Sequence, residues 1–300
     1  MSATTAPTPM IPPAQPKRRN KRRMGTKAKE RMSRAVAVIL LIPFSIFVLL
    51  PFFWMVSASL KPENEIYTAQ IQWLPSDWQF NHFVEIWQRS DMLIWLKNTV
   101  LLAVVITALH VITGSFAAYG FSRIRFPGRD TLFVIYIATI AVPWQAYMIP
   151  QYQMMSRIGL SDSLWAIIVL QTFSAFGVFL MKQFYDSIPD SLNEAARIDG
   201  LSEYGIYWRI MLPLSVPAIA SLVIITFTNT WNDFMGPFLY LRSPEIKTIQ
   251  VGLQTFVGEH GADNAMIMTG SVISVVPIAI VFAFTQRYFV QGVATSGMKN

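Results

Sequence analysis

Apolar residues in this chain are gathered into long blocks, and that grouping limits the fold more tightly than any motif does. A bilayer core takes about 20 mostly apolar residues per helical span. Six segments meet that need: residues 36–54, 94–119, 131–149, 164–184, 216–231 and 265–289. The fifth is the shortest and ends in Asn229, Trp231, Asn232 and Asp233. Barrel strands would read as about 10 residues of alternating polarity, so these blocks point to helices. With 53% apolar and 14% charged residues, the expected fold class is an all-α membrane protein with six transmembrane helices.

Residues 1–34 form a Pro/Ala/Thr tract followed by the basic run KRRNKRRMGTKAKERMSR, with ten Lys/Arg and one Glu. This stretch has too little apolar surface to fold alone and is expected to be a disordered cytoplasmic tail touching anionic lipid, ahead of a permease domain over 35–300. Nucleic-acid binding is the less favoured reading. With the N-terminus inside and six spans, the inward segments hold 18 of the 24 Lys/Arg, which places both termini in the cytoplasm of a multi-pass cell-membrane protein. No small-residue cleavage site closes the first apolar run before Trp54, which argues against a cleaved signal peptide. The chain has no cysteine, so disulfides and thiolate metal sites are excluded.

The longest outward loop, 57–93, carries Trp73, Trp78, Phe80, Phe83 and Trp87, read as interfacial anchors or as a landing place for an external partner. The inward loop FSRIRFPGRD turns at Pro127-Gly128. Within the blocks His110, Gln145 and Gln171 read as polar glue between helices, with pore lining the alternative. No chain of buried Asp, Glu or His is present, which weakens an ion-coupled carrier, and no paired ionisable residues support an intramembrane enzyme. A phosphate-binding GxxxxGK followed by Ser or Thr is also missing. No catalytic or metal-ligating residue is expected, and any nucleotide chemistry belongs to another chain.

Between the fourth and fifth blocks lies NEAARIDGLSEYGIYWRIMLP. Ser191 and Glu194 have the spacing of a capping box, so a helix is expected to start there. Leu192, Ala195, Ala196 and Asp199 fall on one small-residue face. Gly200 is placed to end the helix with positive φ, a second helical piece follows through Ile210, and Pro213 marks the turn into the fifth span. A plain connection needs only a few residues. This one commits about thirty to amphipathic structure, which implies a partner outside the bilayer.

Glu194-Ala195-Ala196, Gly200, Ile210 and Leu212-Pro213 reproduce the pattern EAA-x3-G-x9-I-x-LP, and the chain thereby resembles the permease subunits of ABC importers. AAYGFSRIRFPGRD, MIPQYQMMSRIGLSDSLWA, WNDFMGPFLYL and QRYFVQGVATSGMKN are similar to the carbohydrate branch, the MalG-like inner membrane components of binding-protein-dependent transport systems. The resemblance implies a cytoplasmic coupling helix formed by the EAA loop. Glu194, Ala195 and Ala196 would enter a cleft of the ATP-hydrolysing subunit, Gly200 would make the bend, and Ile210, Leu212 and Pro213 would pass movement to the fifth span. It also implies two ATP-binding subunits that carry ATP and Mg, a second homologous permease, an extracytoplasmic solute-binding protein, and a C-terminal tail (292–300) directed at the ATPase interface.

The function so implied is the membrane-spanning subunit of an ATP-driven importer for a sugar or oligosaccharide, working by alternating access and doing no covalent chemistry. Asn229, Trp231, Asn232 and Asp233 offer the aromatic faces and acceptors that sugars need and are the substrate-pathway residues expected. The alternatives are an ABC permease for a peptide, polyamine or phosphonate, and a stand-alone channel or secondary carrier.

Overall fold

The computed structural model describes residues 22–258 and 261–296. Residues up to Phe53 form one compact unit and those from Trp54 another. The first unit is the greater part of α1 (Arg22–Ala58), which begins well before the apolar run at Val36, so the second half of the basic stretch is helical. Residues 1–21 of the expected tail and 297–300 of the expected C-terminal contact lie outside the described residues. Ile39, Phe44 and Phe47 on α1 are exposed, as suits a helix whose solvent is lipid.

The second unit opens with a folded cap rather than a loose loop. It contains α2 (Glu63–Ile66) and α3 (His82–Arg89). Lys61 is fully buried, its ammonium 4.1 Å from the centre of the Trp54 ring and bonded to the Gln72 carbonyl. Burial pushes the Lys61 ammonium below its usual range. The Glu63 carboxylate accepts the backbone N–H groups of Asn264 (3.1 Å) and Ala265 (2.8 Å). This ties the cap to the start of the last helix, where orphan N–H groups favour an anion. Among the anchoring aromatics, Trp73 meets Trp54 edge-on at 6.0 Å, and Trp78 stacks on Phe80 at 5.9 Å.

The spine of this unit is α4 (Met92–Arg123), with buried residues at Trp95, Thr99, Leu102, Ile106 and Ala118 that return at helical spacing. Gly128, at φ 78°, turns the chain into α5 (Arg129–Ala138). After α5 come single 3-10 turns at Thr139–Ala141 and Trp144–Ala146, then α6 (Met148–Arg157). The next two helices, α7 (Leu164–Leu170) and α8 (Ala175–Asp186), meet at a 42° bend. The connecting region holds α9 (Asp190–Ile198), α10 (Glu203–Ile206), a π turn at Tyr207–Met211 and α11 (Leu212–Leu214). It then bends by 75° into α12 (Val216–Trp231). The chain continues through α13 (Met235–Tyr240), α14 (Ile249–Leu253), the two-residue strands β1 (Val257–Gly258) and β2 (Gly261–Ala262), and α15 (Asn264–Ser296).

α4 packs against α8 and α12, and α12 also packs against α15. The α4–α8 crossing is close because it is made of glycine: a Cβ on Gly114 would lie 3.4 Å from the Gly177 carbonyl carbon. Without a hydrophobic drive inside lipid, such small-residue contacts are how helices gain packing.

The helical membrane architecture agrees with the sequence, but six continuous spans do not appear. Among the described residues three helices are long and apolar enough to cross a bilayer, within 31–58, 92–123 and 264–286, and the two bent pairs raise the number to five. The expected third span, 131–149, is interrupted: Pro143 has no N–H to continue a ladder, and the chain passes through isolated turns between α5 and α6. Hydrophobicity was read as continuity there, and the backbone has none.

Candidate functional site

Two features stand out, one at each end of α12. The first is the connecting region around α9. Helix α9 starts at Asp190 after Pro189, and no side chain caps it. The Ser191–Glu194 capping box expected from spacing is therefore absent, because Pro189 already fixes the entry and moves Ser191 inside the helix. The helix end follows expectation. Gly200 adopts φ 82°, the Gly200 N–H bonds the Arg197 carbonyl (3.0 Å) and the Leu201 N–H bonds the Ala196 carbonyl (3.0 Å), a Schellman closure. Ser202, which the sequence reading passed over, caps α10 by accepting the Gly205 N–H at 3.3 Å.

The small-residue face of α9 is divided by the fold. Ala196 is buried beside Tyr119, Tyr185 and Ile206 in the bundle core, with Ile210 and Leu212 packed at its edge. Leu192, Ala195 and Ile198 stay exposed, Ile198 by 85%. The region thus has a core after all, shared with α4 and α8, and that core holds an apolar face outward. Glu194 is exposed beside it, and Pro213 is exposed at the start of the bend.

Arg123, at the end of α4, fastens the region. Its guanidinium donates to the carbonyls of Tyr185 and Ile188 (2.7 Å to the latter) and pairs with Asp190. Arg197 pairs with Glu203 at 2.7 Å, and the Tyr119 hydroxyl donates to Glu203 at 2.6 Å. The Glu203 hydrogen bond holds the Arg197 guanidinium above its ordinary range. Arg123, Arg125, Arg129 and Arg197 share the wall of a cavity of about 640 Å3 with Glu194. Asn193 also lines it, buried, with both amide atoms unpartnered. Nothing in the spacing singled out Arg123; the only sequence signal was a basic, turn-bearing loop.

The second feature is a cavity of about 450 Å3 at the level of His110, near the middle of α4. Three interruptions of helix converge on it: residues 139–147, 171–174 and 232–234. Irregular backbone at membrane depth is tolerated only where protein covers it or water fills a cavity. The interruptions line such a cavity here. Asp233 and Gln171 line it, and the Gln171 amide donates to Asp233 at 2.9 Å. Gln171 also accepts, through its backbone carbonyl, from His110 Nε2. Since a carbonyl only accepts, Nε2 carries the proton in the neutral ring, and Nδ1 accepts from the Thr226 hydroxyl at 3.3 Å. Trp144 donates to the Gln151 side-chain oxygen at 2.8 Å, and Tyr240 approaches the same oxygen at 3.3 Å.

Of the four substrate-pathway residues expected from sequence, only Asp233 lines this cavity. Trp231 is fully buried, its indole N–H donating to the Ser274 carbonyl at 3.0 Å. Asn232 is exposed and donates back to the Thr228 carbonyl, and Asn229 is exposed. Gln145 and Gln171 join Asp233, while Trp144, Tyr147, Gln151 and Tyr240 were not singled out. A Pro-Trp-Gln break inside an apolar block was the available signal for the first of them.

A cavity with polar lining among the membrane helices, and an apolar face held outward on the region between two of them, are parts a transport permease needs. The chain belongs to the family of binding-protein-dependent transport system inner membrane components, which matches residues 110–295. It is 32% identical over 252 residues to the arabinooligosaccharides transport system permease protein AraQ of Halalkalibacterium halodurans, covering 83% of this chain and 90% of that protein. It is 29% identical over 273 residues to the lactose transport system permease protein LacG of Rhizobium radiobacter, covering 91% and 99%. Among solved structures, a bacterial ABC transporter involved in the import of the acidic polysaccharide alginate matches with a TM-score of 0.75 at 26% identity, over 87% of this chain and 98% of that one.

Proposed function

We propose that this chain is the membrane-spanning subunit of an ATP-driven importer for a sugar or oligosaccharide. The observation that carries the coupling is that one helix joins the two features. At its N-terminal end α12 is fused, through the π turn and α11, to the region holding the exposed face of α9, and at its C-terminal end it delivers Asp233 to the cavity. Its sixteen residues span about 24 Å. A push on α9 therefore has a stiff route to the cavity.

In this reading Glu194, Ala195 and the exposed side of α9 meet an ATP-binding subunit, one of two that hold ATP and Mg, while Ala196, Gly200, Ile210, Leu212 and Pro213 keep the face rigid and connected. ATP binding in those subunits biases the bundle between outward- and inward-open states, which is how nucleotide state and solute access become coupled. A second homologous permease completes the path and an external binding protein delivers the cargo to the 57–93 cap. Both termini lie in the cytoplasm. The third apolar block enters the membrane as an interrupted segment lining the path, giving six crossings in all. The sugar assignment draws on the arabinooligosaccharide and lactose permeases among its relatives.

The test is uptake of labelled oligosaccharide into liposomes holding the whole transporter. Uptake is expected only with ATP and with all subunits. Gly200→Val and Glu194→Lys are expected to cut ATP-driven uptake at least about tenfold while the subunit still inserts. Uptake by this chain alone, or full coupling and normal ATPase association in both variants, would sink the reading.

A further inference from the structure

We infer that the transmembrane cavity selects uncharged saccharides over acidic ones. This rests on the sugar reading above and narrows it to a substrate class. The cavity has one carboxylate, Asp233, and no Lys or Arg among its lining residues. Both Asp233 oxygens already accept, Oδ2 from the Gln171 amide at 2.9 Å and Oδ1 from the Gly236 N–H at 3.1 Å. A carboxylate has about four acceptor sites, so the group is held in place with capacity left for hydroxyl donors. The close fold-back depends on Gly236, where a Cβ would lie 2.7 Å from Asp233 Oδ2.

The remaining wall suits a neutral sugar. Trp144 and Tyr147 line the cavity with aromatic surface suited to sugar C–H groups. Gln151 has its side-chain oxygen engaged by Trp144 and Tyr240, which leaves its NH2 group to donate to a hydroxyl. A uronate would instead bring a second carboxylate beside Asp233, with no Lys or Arg in this wall to offset it. Like-charge juxtaposition of that kind is strongly unfavourable.

The test is saturation-transfer NMR on the assembled transporter without its binding protein, with maltotriose, arabinotriose and galactotriose as neutral probes and trigalacturonate as the acidic one. At least one neutral probe is expected to show transfer and trigalacturonate to bind at least about tenfold more weakly. Gln145 is an exposed cavity residue, so Gln145→Lys adds a cation with little disturbance of packing and is expected to bring trigalacturonate level with the neutral probe. Asp233→Asn should narrow the gap as well. Trigalacturonate binding the unaltered transporter as well as the neutral probes, or a ratio unmoved in both variants, overturns the inference while leaving sugar import standing. Failure of all four saccharides to bind, with ATP-driven uptake of a peptide or polyamine, overturns the sugar reading and this inference with it.

Discussion

Gly252 shows how tightly single residues are fixed in the second unit. A Cβ at this position would lie 2.1 Å from the Trp95 indole, itself buried at 3% exposure. A rigid ring wedged between helices cannot retreat as the end of a flexible side chain can. Gly252→Ala is therefore expected to cost about 1–3 kcal/mol, read as a lowered Tm of the purified protein; an unchanged Tm would contradict the packing. Gly200 differs, because no atom lies within 4 Å of its would-be Cβ and the constraint is its φ of 82° alone. That one was legible in the sequence, since a glycine after an amphipathic run is a helix-ending signal. Gly252 was not, because its reason is Trp95, more than a hundred positions away.

At the scale of elements, the region from α9 to α12 was foreseen as helix, glycine stop, helix and turn, and it has that order. Its entry differs because Pro189 overrides the Ser191–Glu194 spacing, and its face differs because the bundle takes Ala196 inward. The 75° bend lies at Ser215 rather than Pro213. Pro217 has no N–H to give the Pro213 carbonyl, so the ladder is broken at the bend, while Ser215 closes the end of α11 by donating its hydroxyl to the Leu212 carbonyl at 2.9 Å and its N–H to the Met211 carbonyl at 3.1 Å. Beside the shared apolar core and the Tyr119–Glu203 bond, Arg123 holds the region to the bundle. Its pairing with the exposed Asp190 adds little, but its guanidinium donates to the carbonyls of Tyr185 and Ile188, a charge-assisted tie from α4 to the chain entering α9. Arg123→Ala is expected to raise hydrogen–deuterium exchange across residues 190–201 and reduce coupled uptake. Arg123→Lys should not restore either, since Nη2 serves both carbonyls while Nη1 pairs with Asp190, and a single ammonium cannot hold all three partners in that planar arrangement. Exchange unchanged in both variants would remove Arg123 from this role.

Across the whole molecule, the open matter is topology. The chain contains no cysteine, so single cysteines report position without background. A cysteine at Gln70, in the cap, is expected to react with a membrane-impermeant maleimide in intact cells. One at Arg125, between α4 and α5, should react only after the membrane is opened. The reverse pattern would invert the orientation and place the exposed face of α9 on the wrong side for an ATPase.

The sequence by itself determined that this chain is helical and lipid-embedded, and that the helix begun near residue 190 stops at Gly200, because hydrophobic block length and glycine placement act locally. Only the tertiary structure decided that Ala196 faces inward, that Arg123 clamps the region, and that breaks near Trp144, Gln171 and Asp233 open on one cavity. Those outcomes depend on which helices lie side by side, and apolar side chains that are alike to lipid carry little information about their neighbours.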